Sequence, residues 1–337
     1  MTRSRSETIL VTGGAGYIGS HAVLALLAAG RQVVVVDDLS TGRRVLVPDG
    51  VPLVVGDIGD PEIATAAIRD HNCDAVLHFA GSIVVPESVA DPLRYYANNT
   101  MASRSLIETC VACGVGTFVF SSTATVYGAP EVSPIPEDAP TLPVNPYGTS
   151  KLMTEWILRD VAAATDLRYA VLRYFNVAGA DPLGRSGQAG PHTTHLIRVA
   201  CELVTGKRDE ISIFGDDYDT PDGTCVRDYV HVSDLAEAHV LALDHVGRNR
   251  ESVVANCGYG RGHSVKEVCA VIEAVAGRPL NIRMAGRRDG DVPTLVADSA
   301  KIRKGLGWRP THDDLLGIIE SALNWQRKLD TLGVDEA

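Results

Sequence analysis

Four consecutive valines, Val33–Val36, closed by Asp37 and Asp38, constrain this chain more than any other stretch. A run that is apolar at every position leaves no face to turn towards water. It therefore predicts a strand covered on both sides, as in a parallel sheet flanked by helices. Similar short runs recur at residues 8–11, 52–55, 75–79, 117–121 and 169–173. Helical patterns separate them: Tyr17 to Ala29, ended by Gly30; a helix running to about Asp70; Pro92–Cys113; and Pro146–Ala164. Strands alternating with helices at this pitch predict a doubly wound α/β fold. After Asn176 the pattern loosens. Residues 177–192 are rich in Gly, Pro and Asp, and smaller elements follow at 193–205, 211–214, 233–245, 264–276 and from about 313. The expected division is a dinucleotide-binding domain at 1–176, with a segment near 228–258 returning to it, and a substrate-binding domain at 177–337.

Between the first strand and the first helix lies Thr12-Gly13-Gly14-Ala15-Gly16-Tyr17-Ile18-Gly19. Glycines at 13, 16 and 19 permit a tight turn and let backbone N–H groups reach a pyrophosphate at a helix N-terminus. Asp37 stands about 18 residues past Gly19, close to the ~20 expected of the acid that binds an adenosine ribose. A carboxylate there repels a 2′-phosphate, so this Rossmann-like arrangement predicts NAD rather than NADP. Asp57 and Ile58, after the third strand, are a candidate adenine-edge contact.

The net charge of −11 disfavours nucleic acid or an anionic membrane as a general partner. Seven scattered cysteines suggest reduced thiols and a cytoplasmic setting. Cys110-x-x-Cys113 has no second pair and reads as buried helix thiols, so no metal site is expected. Ala22–Ala29 resembles a signal-peptide core, but the glycine loop before it favours strand, loop and helix. No apolar run approaches the ~18 residues of a membrane span.

The chemistry centres on Asn145-Pro146-Tyr147-Gly148-Thr149-Ser150-Lys151. A helix starting near Pro146 puts Tyr147 and Lys151 on one face, a turn apart. A phenol has a pKa of about 10 and is a poor base at neutrality; a fixed cation nearby favours its ionised form. Thr123, just past the fifth strand, lies where ligands bind in such sheets, and its hydroxyl can bond a substrate oxygen and the phenol together.

These residues carry a resemblance. The segments TGGAGYIG, SSTATVYG, NPYGTSK and RYFNVAGA resemble an extended short-chain dehydrogenase/reductase. More narrowly, HFAGSIVVPES (78–88), LRYYANNT (93–100), DGTCVRDYVHVSDLAEAH (222–239) and RRDGDVPTLVAD (287–298) are similar to the UDP-glucose 4-epimerase family. The similarity spans about residues 8–328. It implies a bound NAD held by Gly13, Gly16, Tyr17, Ile18, Gly19, Asp37, Asp38, Asp57, Ile58, Phe79, Ala80, Gly81, Asn98, Tyr147, Lys151 and Tyr174. It implies a UDP-sugar held by Thr123, Tyr147, Asn176, His195, Leu196, Phe214, Arg227, Tyr229, Arg288 and Asp291. In the implied cycle Tyr147 removes the proton of the sugar 4-OH, Lys151 lowers the phenol's pKa and holds the nicotinamide ribose, and Thr123 orients the 4-oxygen. The keto sugar turns over and hydride returns to its other face. A homodimer through the helices at 93–113 and 147–164 is implied as well. Departures are Ile83, where some relatives carry lysine, Thr123 for serine, and His195, where some relatives have asparagine. Leu295 is intermediate in size at a position that governs room for an N-acetyl group.

Other readings share parts of this pattern. A nucleotide-sugar dehydratase needs an acid/base pair directly after the threonine, and Ala124-Thr125 cannot supply one. A 4-epimerase of UDP-GlcNAc, UDP-xylose/arabinose or UDP-glucuronate would use the same residues. A non-catalytic NAD-binding module would have no need of Thr123, Tyr147 and Lys151 together.

Overall fold

The computed structural model describes residues 7–190, 194–288 and 290–332. Its first half alternates as the apolar runs require: β1 (Thr8–Thr12), α1 (Tyr17–Ala28), β2 (Gln32–Asp37), β3 (Leu53–Val55), α2 (Pro61–Asp70) and β4 (Ala75–His78). Next come α3 (Val85–Ala90), α4 (Pro92–Tyr95), α5 (Ala102–Cys113), β5 (Thr117–Thr123), α6 (Pro146–Ala164) and β6 (Arg168–Tyr174). The second half holds β7 (Asn176–Ala178), α7 (Leu196–Val204), β8 (Ile211–Phe214), β9 (Val226–His231), α8 (Val232–Asn249) and β10 (Val253–Cys257). It ends with β11 (Gly262–Ser264), α9 (Val265–Ala276), β12 (Ile282–Ala285), β13 (Thr294–Leu295), α10 (Ala300–Gly305) and α11 (Leu315–Leu332).

The main sheet has seven strands in the order β10-β6-β5-β4-β1-β2-β3, and every pairing is parallel. The valine run explains this directly. Val33 and Val35 pack with Ile9, Val11 and Leu77 beneath Leu26 of α1 and Leu235 and Leu243 of α8. Val34 and Val36 face the other way, with Leu10, Val76, Phe118 and Phe120 beneath Ile68, Leu106 and Leu158 of α2, α5 and α6. Burying both faces is what makes the strands apolar at every residue.

Three features depart from the sequence expectation. The helix predicted over 92–113 contains a π-helical segment, Tyr96–Met101, between α4 and α5. The wider turn brings Asn99 and Thr100 to the buried side against α6, where Thr100 Oγ1 donates to Ser150 O. Apolar periodicity ran on through this segment and gave no sign of it. β9 is a strand where the sequence showed only a motif; β10, inside the segment near 228–258 expected to return, pairs with β6. The helix expected at 193–205 is Leu196–Val204, and residue 193 lies outside the described residues. The remaining strands form smaller sheets: β9 with β7, β11 and β13, and β8 with β12, covered by α7, α9 and α11. Among the described residues no helix is long and apolar enough to cross a membrane.

Candidate active site

The glycine loop opens at the carboxyl end of β1, between β2 and β4, where the sheet order reverses and a crevice forms. Gly13 has a φ of +68°, and a Cβ there would sit 2.7 Å from Ala80 N. A Cβ on Gly19 would lie 2.1 Å from Gly13 O, so this turn can close only on glycine. Gly16 caps α1, and Tyr17 and Ile18 begin it, leaving first-turn N–H groups at the helix's positive end. Asp37 ends β2, its Oδ2 accepting from Ala15 N at 2.9 Å and its Oδ1 from Leu39 N at 2.9 Å. Asp38 beside it is exposed and its Oδ1 accepts from Ser40 N. Phe79, Ala80 and Gly81 leave β4, and Asp57 and Ile58 leave β3. Ile58 is buried among the apolar residues of α2 and β4, whereas Asp57 is exposed and accepts from Gly59 N. Asn98 is exposed on the π turn and donates to Ser82 Oγ at 2.7 Å. The cradle fits a dinucleotide: backbone donors at a helix N-terminus, glycines where a phosphate needs close approach, and an acid at the next strand end.

Beside the cradle, Thr123 closes β5 and Tyr147 and Lys151 stand on the first turns of α6. Local chemistry fixes that helix start, because Pro146 occupies its first turn and Asn145 Oδ1 accepts from Gly148 N at 2.9 Å. All three side chains are buried. Thr123 Oγ1 donates to Thr125 Oγ1 at 3.0 Å and accepts from Thr125 N at 3.1 Å. Burial pushes the phenol well above its ordinary value, with Tyr174 and Tyr95 adding to the rise and Thr123 opposing it. Lys151 shares the face as expected, but its ammonium donates to Ser121 O at 3.2 Å and lies 4.9 Å from the Phe120 ring centre. Burial lowers its pKa to about 8.

Across the crevice, the second half brings cations to a common acid. Arg227 Nη1 donates to Val292 O at 2.9 Å, and its Nη2 lies 3.8 Å from Asp291. Arg288 Nε donates to Asp291 Oδ2 at 3.1 Å while its guanidinium stacks 4.3 Å from the Phe214 ring centre. Tyr229 is buried on β9, one residue along from the Arg227–Asp228 step and paired with Asn176, which is exposed at the start of β7. His195 precedes Leu196 at the start of α7, its Nδ1 3.1 Å from Gln188 Nε2, and burial lowers its pKa. The sequence profile of the NAD dependent epimerase/dehydratase family matches residues 9–258.

The chain belongs to that family. A UDP-glucose 4-epimerase of Azospirillum brasilense is 61% identical over 96% of this chain and 93% of its own length. One from Rhizobium meliloti is 48% identical over 96% and 98%. Among solved structures, a UDP-glucose 4-epimerase from Brucella ovis in complex with NAD matches with a TM-score of 0.92 at 42% identity, covering 95% of this chain and 99% of that one. One from Bifidobacterium longum in complex with NAD+ and UDP matches with a TM-score of 0.91 at 41% identity, over 95% and 98%.

In this epimerase/dehydratase the structure adds residues that spacing could not point to. Ser122 Oγ donates to Glu155 Oε1 at 2.5 Å, and Glu155 also accepts from Arg173 Nη2 at 2.7 Å. Arg173 donates in turn to the Tyr127 hydroxyl, which donates to Asn256 Oδ1 at 2.7 Å. One buried ion pair thereby ties the end of β5 to α6, β6 and β10 directly beneath Thr123. Asn99 makes a second tie: its Oδ1 accepts from Ser82 N at 2.7 Å and its Nδ2 donates to Ser150 Oγ at 3.0 Å, joining the cofactor side to the helix of Tyr147. These partners lie far apart in sequence, and polar residues inside helices gave no periodic signal. Lys151-x-x-x-Glu155 is the one hint available, placing Glu155 on the Tyr147 face.

Proposed function

We infer that this chain is an NAD-dependent isomerase that inverts C4 of a UDP-hexose, interconverting UDP-glucose and UDP-galactose through a 4-keto sugar. The observation that carries this is the buried set Thr123, Tyr147 and Lys151 at the end of β5 and the start of α6, beside a dinucleotide cradle and with no carboxylate at 124–125. Elimination of water needs such an acid; reversible proton transfer at one carbon does not.

Gly13, Gly16 and Gly19 with the first turn of α1 would hold the pyrophosphate, Asp37 the adenosine ribose, and Lys151 the nicotinamide ribose. NAD, when bound, supplies a hydride acceptor that gives the same hydride back. Tyr147 takes the 4-OH proton and later returns it, so one group serves both directions. Thr123 donates to the 4-oxygen and keeps it within reach of the phenol. Lys151, buried one helical turn after Tyr147, supplies the positive charge that the buried phenolate requires. Arg227 and Arg288 suit a diphosphate, Asp291 the uridine ribose and Phe214 the uracil face. Holding the UDP firmly while leaving the hexose few partners lets the keto sugar present either face.

The sheet membership of β10 supports reading residues 1–176 with the segment near 228–258 as the cofactor half, and 177–337 as the sugar-nucleotide half. Exposed Leu93, Met101 and Trp156, on α4, the π turn and α6, support a homodimer through those helices. Seven free cysteines fit a reducing cytoplasm. The deciding experiment incubates the NAD-loaded protein with UDP-glucose, UDP-GlcNAc, UDP-xylose and UDP-glucuronate. Formation of UDP-galactose without net NADH supports the reading. Stoichiometric NADH, or no product from UDP-glucose, overturns it.

A further inference from the structure

Ser82, just past β4, is gripped by two consecutive asparagines. Asn99 Oδ1 accepts from Ser82 N at 2.7 Å and its Nδ2 donates to Ser82 O at 3.0 Å, so one amide holds both backbone groups of the residue. Asn98 Nδ2 donates to Ser82 Oγ at 2.7 Å. Consecutive side chains on a helix diverge by about 100°; here both reach one residue, from the wider π turn Tyr96–Met101. The segment is pinned again two residues on, where the Tyr95 hydroxyl accepts from Val84 N at 2.9 Å and donates to Val84 O at 2.7 Å. Loops that leave strand ends are usually the mobile parts of a fold. This one is fixed from behind at Ser82 and at Val84.

The bond from Asn98 uses a lone pair of the Ser82 hydroxyl and leaves its proton to give. Among the described residues that proton has no acceptor, and the side chain is half-buried rather than closed off. Its position says what it can reach. Residues 79–82 leave the carboxyl end of β4 beside β1, where such sheets bind ligands. A Cβ on Gly13 would lie 2.7 Å from Ala80 N, so the segment abuts the glycine loop. A Cβ on Gly81 would lie 3.7 Å from Lys151 Nζ, so the residue before Ser82 abuts the ammonium. Ser82 thus follows on from the pyrophosphate loop on the side of Lys151, which, in the function inferred above and on which this inference rests, holds the nicotinamide ribose. Ile83 next to it is half exposed, and its side chain has no donor to offer.

We propose that Ser82 is a cofactor-binding residue: its hydroxyl donates to an oxygen of the nicotinamide-side ribose or phosphate of NAD. Asn98 occupies the lone pair and leaves the proton for the cofactor. Asn99 sets where the residue stands, with the same amide that reaches Ser150 on the helix of Tyr147. The π turn is what brings the two asparagines to one serine.

The test titrates the full chain with NADH, followed by nicotinamide fluorescence, and with AMP, followed by calorimetry. AMP carries only the adenosine half and does not extend to Ser82. Ser82→Ala removes the hydroxyl and weakens NADH binding roughly 2–12-fold, the worth of one neutral hydrogen bond, while AMP binds as it does to wild type. Ser82→Cys, of similar size but a weak donor, shows the same pattern and serves should the alanine disturb folding. Unchanged NADH affinity in these variants overturns the proposal. So does a loss of AMP affinity by the same factor, which would make Ser82 a brace of the whole cradle and not a contact at its nicotinamide end. Neither titration needs turnover or a sugar, so failure here is distinguishable from failure of wild-type protein to epimerise UDP-glucose.

Discussion

Thr123, Tyr147 and Lys151 are each at most 6% exposed and stand on the ends of regular elements, whereas the Arg288 side chain is 49% exposed on a loop. The two halves of the crevice thus hold their residues by different means. The chemical side is gripped from behind, by Glu155, Arg173, Asn99 and Ser150, all buried. The clamp side is gripped laterally, with Arg227 and Arg288 sharing Asp291. Groups that must keep a geometry within fractions of an ångström sit on a rigid sheet. Groups that must open for a nucleotide to enter meet at the Asp291 carboxylate, in pairings a diphosphate can replace. For Arg288, half in water, that pairing with Asp291 adds little to stability.

Substitutions can break this contrast, beginning with the largest effect. Tyr147→Phe should cut kcat by about 10²–10⁴, the usual worth of a positioned acid/base, with NAD content and melting temperature unchanged; near wild-type turnover would end the proposed role. Glu155→Ala should cost about 3–5 kcal/mol of stability in urea unfolding, because it strands the Arg173 charge in the interior. A loss below about 1 kcal/mol would mean the chemical side is not braced from behind. Arg288→Ala should weaken UDP binding by about 1.5–3 kcal/mol in calorimetry and leave stability almost untouched. A stability loss larger than the binding loss would reverse the contrast between the halves.

Acid sharpens the comparison further. Burial lowers His78 to about 3 and His21, His231 and His239 to about 4. Unfolded, each takes up a proton near pH 6.5, so between about 6.5 and 4 the unfolded chain binds more protons. The stability these four neutral rings allow is fully present above that window and falls as pH drops through it, by up to about 1.4 kcal/mol per unit for each ring. Unfolding free energies measured across the window should show that slope; a flat profile would mean the histidines charge in place.

Much of the chemical side was legible in the sequence because its constraints are local. Val33–Val36 announced a doubly covered sheet, glycines 13, 16 and 19 a tight turn, and Asn145-Pro146 a helix start. The spacing of Tyr147 and Lys151 correctly put them on one face. It could not show that the Lys151 stem runs to Ser121 O, since spacing fixes where a side chain leaves the helix and not where its end goes. The π turn was hidden because one extra residue leaves an apolar pattern almost unchanged. Glu155 with Arg173 is a pairing between separate elements, which only the fold brings together; that a segment near 228–258 returns was expected, but not its pairing with β6. The clamp was reached through the similarity of its motifs, not through physics, because loops carry no periodicity.

The late arrival of β10 has a consequence for biosynthesis. Until Val253–Cys257 has been made, β6 is an open sheet edge with unpaired N–H and C=O groups. At about 5–20 residues per second, the stretch between β6 and β10 keeps that edge waiting on the order of ten seconds during translation. The nascent chain should therefore recruit holdase chaperones after β6 emerges and release them once β10 is clear of the ribosome.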